Sequence, residues 1–275
     1  SGIPLYEIIN EINPEEQAAK YNIIDKFTTE RACSLNCDVF TTVSEITSIE
    51  SEKFLSRKAD ILLLNGLDID NFPSFEETSI EHINNREKIR EFISYYFFPY
   101  YHFDLEQTLN FFIVGRYEFK NKGIDIFVKS LGKLNNMLKE ENSEKTIIVF
   151  FWIPAQVASA KNTIAKNKAS YHSLKHFLEQ NSEKLNRRLI ENIMRCMDSN
   201  CMISENSLTN TSIFDEEFFD DSRKLRLNFV KEGNPPLITH DISNEANDQI
   251  IKSLMENGLN NSEENKVKVI FYPVY

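Results

Sequence analysis

Apolar and polar positions along the chain switch repeatedly between a helical period and a strand period, and the switches mark out the elements. Residues 14–36 (PEEQAAKYNIIDKFTTERACSLN) favour a helix, with Pro14 suited to a first turn and Glu15 and Glu16 near the positive end of its dipole. DVFTTVS (38–44) is β-branched and aromatic, the pattern of a short strand. In SEITSIESEKFLSRK, Ser44 is placed to cap a helix that has Glu45 in its first turn and Arg57 and Lys58 at its end. ADILLLNGLDI (59–69) then reads as a second, buried strand closed by the Asn65-Gly66 turn. Strand, helix and strand at this spacing predict a βαβ unit, hence a parallel sheet covered by helices.

The same order returns downstream. Residues 76–98 form an amphipathic helical stretch ended by Pro99, and 104–154 supply another strand–helix–strand unit in which IIVFFWIP has the pattern of a fully buried strand. One doubly wound domain is therefore expected to end near residue 72 and a second to begin near 104. From about 156 to 262 the chain turns polar and helical. Leu174, Phe177, Leu178, Leu185, Leu189 and Ile193 make an apolar stripe on a long helix, or on a helix pair broken around 180–183. CMISENSLTNTSIFDEEFFDDSRK reads as a loop, NEANDQIIKSLMENG as a short helix and VKVIFYPVY (267–275) as a strand. A parallel strand with no helix after it predicts an unfinished sheet.

Charge narrows the classes of partner. With 31 Lys and Arg against 42 Asp and Glu the net charge is −11, a surface that repels nucleic acid and anionic lipid. No run of about 18 apolar residues is present, so no membrane span is expected, and the opening SGIPLYEIINEIN lacks the pattern of a secretory signal. Four cysteines are too few for a disulfide framework, which makes the cytoplasm the expected compartment. Glycine is scarce, seven in 275 residues, whereas folds that cradle phosphates use several Gly-rich loops.

The segment FFIVGRYEFKNKG (111–123) carries the chemistry. A strand with the pattern of a core strand runs into Gly115, and Arg116 and Lys122 flank the loop before a helix that begins near Ile124. In a doubly wound sheet ligands gather at the carboxyl ends of the strands. A guanidinium fork, a mobile ammonium and helix N–H groups at that place suit a diphosphate whose charge grows as its bond to a sugar breaks. The plainer alternative is a solvated pair, with Arg116 bound to Glu118 or Asp125. His172 and His176 share a helix face but lack further ligands for a metal, and neither Cys33 with Cys37 nor Cys196 with Cys201 has zinc spacing; buried thiols are expected.

FFIVGRYEFKNKGIDIF closely resembles the corresponding segment of the eukaryotic-type glycogen synthases. DVFTTVSEITSIE, RKADILLLNGLDI, VFFWIPA and NKVKVIFYP resemble that family's segments in the same order. The resemblance implies parts of two Rossmann-like domains of a GT-B glycosyltransferase with a helical insertion. Residues 1–72 would be the C-terminal part of the N-terminal Rossmann-like domain, 73–103 a helical connector and 104–155 the start of the nucleotide-binding domain. Residues 156–262 would be the mainly helical insertion, an oligomerisation region, and 263–275 a strand returning to the C-terminal domain. The implied activity is transfer of glucose from UDP-glucose to the non-reducing end of an α-1,4-glucan with retention, without a metal or other cofactor. Glycogen is the implied acceptor, with a glycogenin-type primer and a homotetramer as partners.

Carried over position by position, Arg116 and Lys122 match the family's catalytic contacts to the donor diphosphate. His82 and Arg86 match half of a glucose 6-phosphate site; Arg86 replaces a usual Lys, and Ser79 a usual Gln. The family's Gly-rich donor loop, its paired glutamates and its arginine-rich helix have no counterpart in the 275 residues. The chain is therefore expected to be a central fragment, inactive alone. A non-catalytic scaffold or oligomerisation subunit of the same descent is the alternative.

Overall fold

The computed structural model describes residues 9–198 and 214–274. The chain divides into two compact units, Ser1–Thr78 and Ser79–Tyr275.

In the first unit, α1 (Pro14–Lys20) and α2 (Ile24–Asn36) replace the single helix expected over 14–36. Asn22 adopts a left-handed conformation (φ 56°), and the N–H groups of Asn22 and Ile23 close back on the carbonyls of Ala19 and Ala18. That is a helix-ending turn, which asparagine tolerates better than most residues. β1 (Thr41–Thr42) pairs in parallel with β2 (Ile61–Leu62), and α3 (Glu45–Leu55) joins them. Ser44 caps α3 as its sequence predicts, its hydroxyl accepting from Thr47 N at 3.1 Å. Arg57 does more than complement a dipole. It donates to the carbonyls of Ser34 and Cys37 and to Asp60, whose carboxylate also takes the Phe40 N–H, so one guanidinium pins both strand entrances.

The expected burial of the second strand is not met. Ile61, Leu62, Leu63 and Leu64 are all exposed, Leu64 by 74%. Among the described residues β2 has one neighbour strand, and a parallel strand is buried only when both faces and both edges are covered.

The second unit is built on a parallel sheet in the order β3 (Thr108–Val114), β4 (Thr146–Trp152), β7 (Val267–Tyr272). Alternate residues of β4 serve two cores. Ile147, Val149 and Phe151 face α5 (Ile124–Glu140) and α8 (Gln249–Glu256), through Ile124, Val128, Leu131, Ile250 and Leu254. Ile148 and Phe150 pack instead on Ile93, Tyr96, Phe97 and Tyr101 at and beyond the end of α4 (Phe75–Phe97). This two-sided packing explains the unbroken apolar run IIVFFW. β3 does not share it. Phe111, Phe112 and Val114 are exposed, contrary to the core strand expected there, because β3 lies at the sheet edge and only Ile113 packs on the layer below.

Beyond the sheet, β5 (Val157–Ala160) pairs antiparallel with β6 (His240–Ile242), and α6 (Asn162–Asp198) runs unbroken through 180–183. α7 (Glu216–Phe229) stands where a loop was expected over FDEEFFDDS. Asp215 caps it by accepting from Phe218 N, two glutamates occupy its first turn, and the Phe218 ring packs, tilted, against Phe177 of α6. Arg188 and Lys184 of α6 grip the same Asp215 and hold its carboxyl well below the usual carboxylate range. The start of the expected loop lies outside the described residues. Among the described residues no helix is long and apolar enough to cross a membrane.

Two close fits are testable. A Cβ added to Gly132 of α5 would lie 2.9 Å from the Asn257 carbonyl oxygen, where α8 ends. Ala for Gly in a helix gains about 1 kcal/mol, but the overlap with backbone costs roughly 1–3 kcal/mol. Gly132→Ala is therefore expected to lower the denaturant midpoint; an unchanged or raised midpoint would mean the α5–α8 approach is loose.

Lys268 of β7 is 2% exposed, its ammonium donating to the Ser262 and Glu263 carbonyls and lying 4.2 Å from the Tyr101 ring centre. Burial pushes it down to about 7 from 10.5; Glu263 opposes the shift, while Lys266 and Lys139 add to it. Between those two values the unfolded chain keeps a proton that the folded chain has lost, so this group makes stability rise with pH across that window. Denaturation midpoints from pH 6 to 10 should show this rise in the wild type and a flatter profile in Lys268→Met.

Candidate functional site

The loop after β3 is anchored by its aromatic residues and exposes its cations. Tyr117 and Phe119 pack against the apolar layer formed by α5, α8 and the sheet, whereas Arg116, Lys120 and Lys122 are exposed. Short backbone bonds shape the turn: Glu118 N to Arg116 O at 2.8 Å, Lys122 N to Glu118 O at 2.9 Å, and Gly123 N to Lys120 O at 3.0 Å. Gly123, left-handed at φ 67°, passes the chain into α5 without a side-chain cap. The Lys122 stem returns toward the strand end, its Cγ 3.9 Å from where a Cβ of Gly115 would be. Both cations thus arise beside the same strand terminus.

The alternative pairing of Arg116 with Glu118 or Asp125 does not occur; among the described residues neither Arg116 nor Lys122 makes an ion pair. The N-terminus of α5 is less open to an anion than its position predicts. Phe119 O takes the Asp125 N–H at 3.3 Å, and Asp125 puts a carboxylate in the first turn.

Next to the loop is a cleft of about 460 Å³ walled by Tyr117, by Pro154, Ala155 and Gln156 beyond β4, and by Ile242, Asn244 and Asp248 before α8. It therefore opens at the carboxyl ends of the strands, where ligands of such sheets collect. Across this wall the Tyr117 hydroxyl donates to Asp248 Oδ2 at 2.7 Å. The other Asp248 oxygen accepts from Ile250 N at 2.9 Å and Ile251 N at 3.0 Å, capping α8. Burial first, then Asp248, pushes the Tyr117 hydroxyl well above its ordinary value. Sequence reasoning missed this pair. Asp248 before an apolar helical run was readable as a cap, but nothing local marks a partner 131 positions away.

The second pair of sequence candidates lies on α4. His82 and Arg86 are both exposed, one helical turn apart. Arg86 stands 3.7 Å from Glu106, which Arg90 approaches more closely, at 2.7 Å; Arg90 also donates to Glu87 at 3.1 Å. The cationic face of this helix is thus engaged by an acid from the following loop. In the 172/176 pair, His172 lies 3.5 Å from Glu91, and His176 shares a hydrogen bond with Gln180 at 2.9 Å. Among the described residues no three His, Cys, Asp or Glu side chains converge on a metal position. Cys33 is exposed rather than buried, and Cys37 is half-buried with its thiol donating to Ser34 O. The side chain of Cys196, and Cys201 entirely, lie outside the described residues.

The family model described as Glycogen synthase matches residues 1–275. Similar curated proteins include glycogen (starch) synthase of Neurospora crassa, 33% identical over 99% of this chain and 38% of its own length. Isoform 1 of glycogen (starch) synthase from Saccharomyces cerevisiae is 34% identical over 99% of this chain and 39% of its own length. The liver glycogen (starch) synthase of Homo sapiens is 34% identical over 100% of this chain and 38% of its own length. The chain thus spans about two-fifths of these relatives.

Proposed function

The chain belongs to the glycogen synthase family, and we propose that it carries the donor-diphosphate half of a transferase moving glucose from UDP-glucose to the non-reducing end of an α-1,4-glucan with retention. One observation carries this reading: Arg116 and Lys122, free of acidic partners among the described residues, project from an anchored loop at the carboxyl end of a parallel sheet. As the bond from the anomeric carbon to the β-phosphate breaks, its electron pair stays with the leaving UDP. Two cations fixed beforehand at that point stabilise the growing charge without rearranging, and each such contact contributes about 3 kcal/mol to lowering the barrier.

The same reading extends to the architecture. The parallel sheets suit the two Rossmann-like halves of a GT-B enzyme, with the helical stretch from 156 to 262 as an insertion that brings copies together as a tetramer. Glycogen is then the acceptor, a glycogenin-type primer its starting point, and the cytoplasm its place. His82 and Arg86 would hold the phosphate of glucose 6-phosphate, for which Glu106 would have to yield Arg86 and Arg90.

Transfer of labelled glucose from UDP-glucose to glycogen tests the reading, using the complete polypeptide encoded by the gene. Arg116→Ala and Lys122→Ala are each expected to lower kcat on the order of a hundredfold, with the thermal midpoint unchanged because both residues are exposed. Wild-type rates in both variants would remove the donor assignment.

A further inference from the structure

The loop from Gly115 to Gly123 must hold two like charges at a fixed place, yet beyond Gly115, whose N–H reaches the Trp152 carbonyl at 3.2 Å, its own backbone bonds are only short-range turns. We propose that the Tyr117–Asp248 hydrogen bond is the latch that positions this loop, so that Tyr117 and Asp248 are positioning residues for the donor phosphates. This rests on the donor-site reading above and assigns roles to two residues outside it.

A cap alone does not account for Asp248. Serine or asparagine would satisfy the Ile250 and Ile251 N–H groups as well. The carboxylate instead divides its oxygens, one to the helix and one to a tyrosine far along the chain. Tyr117 follows Arg116 directly, so fixing its ring and hydroxyl fixes the backbone from which the guanidinium projects. The Ile250 N–H also reaches the Tyr117 oxygen, at 3.4 Å, which places that oxygen over the start of α8. Lys122 is tied to the same base through its stem beside Gly115. A tyrosine whose proton is held this firmly is a constant donor rather than a group that titrates during turnover.

Two variants separate positioning from capping. Tyr117→Phe deletes the hydroxyl and keeps the ring in its packing. Asp248→Ser keeps a capping oxygen but is too short to take the Tyr117 hydroxyl as well. In the complete polypeptide, both are expected to lower kcat/KM for UDP-glucose about tenfold, the loss of one hydrogen bond to a charged group. KM for the glucan should stay at the wild-type value, and Tyr117→Phe should lower the thermal midpoint by no more than the loss of one hydrogen bond. Hydrogen exchange in a peptide covering 115–123 should speed up in both variants. Exchange sped up throughout the chain rather than at 115–123 would instead mark a folding defect and overturn the latch. Arg116→Ala is the reference: if it cripples transfer while both latch variants keep wild-type donor kinetics and exchange, the latch is overturned and the donor site stands. If Arg116→Ala has no effect, the donor reading fails and unchanged exchange at 115–123 overturns the latch separately.

Discussion

Because residues 146–151 on β4 are all buried, the second unit can exist only with a helical layer on each face of its sheet. That requirement sets the amphipathic stripe of α5, the apolar positions of α8 and the aromatic end of α4. It also fixes where function can sit. Both faces over β4 are filled, and the loop after β3 lies at the strand ends, carrying aromatic anchors and exposed cations.

The electrostatics follow from that division of labour. The chain as a whole is acidic, with a net charge of −11, and would repel a nucleotide diphosphate approaching at random. Arg116 and Lys122 supply a local exception without the desolvation cost of burying charge, since both remain in water until a ligand arrives. Their lack of an ion pair among the described residues contrasts with Arg86 and Arg90 on α4, where Glu106 already engages both guanidinium groups. A phosphate at the first place meets ready cations. At the second it competes with a carboxylate.

Much of this was legible in the sequence, and the reasons for the failures are physical. The apolar run of β4, the Ser44 cap and the strand–helix–strand order follow from local period and local chemistry. The sequence pattern of β3 and β2 looked just as buried, but burial of a strand depends on its neighbours, and periodicity cannot count them. FDEEFFDDS read as a loop from its acids; those acids are the cap and first turn of α7, and Arg188 and Lys184 that fix Asp215 come from a distant turn of α6. At the site, the two cations were visible as residues, whereas the hydroxyl–carboxylate pair behind them was not, because it joins positions 117 and 248 only in the folded chain.

A crystal structure of the complete polypeptide with UDP bound would test the donor assignment most directly. Diphosphate oxygens within about 3 Å of the Arg116 and Lys122 nitrogens, with Tyr117 still bonded to Asp248, are the expected result. UDP bound with its phosphates away from the 115–123 loop would contradict it.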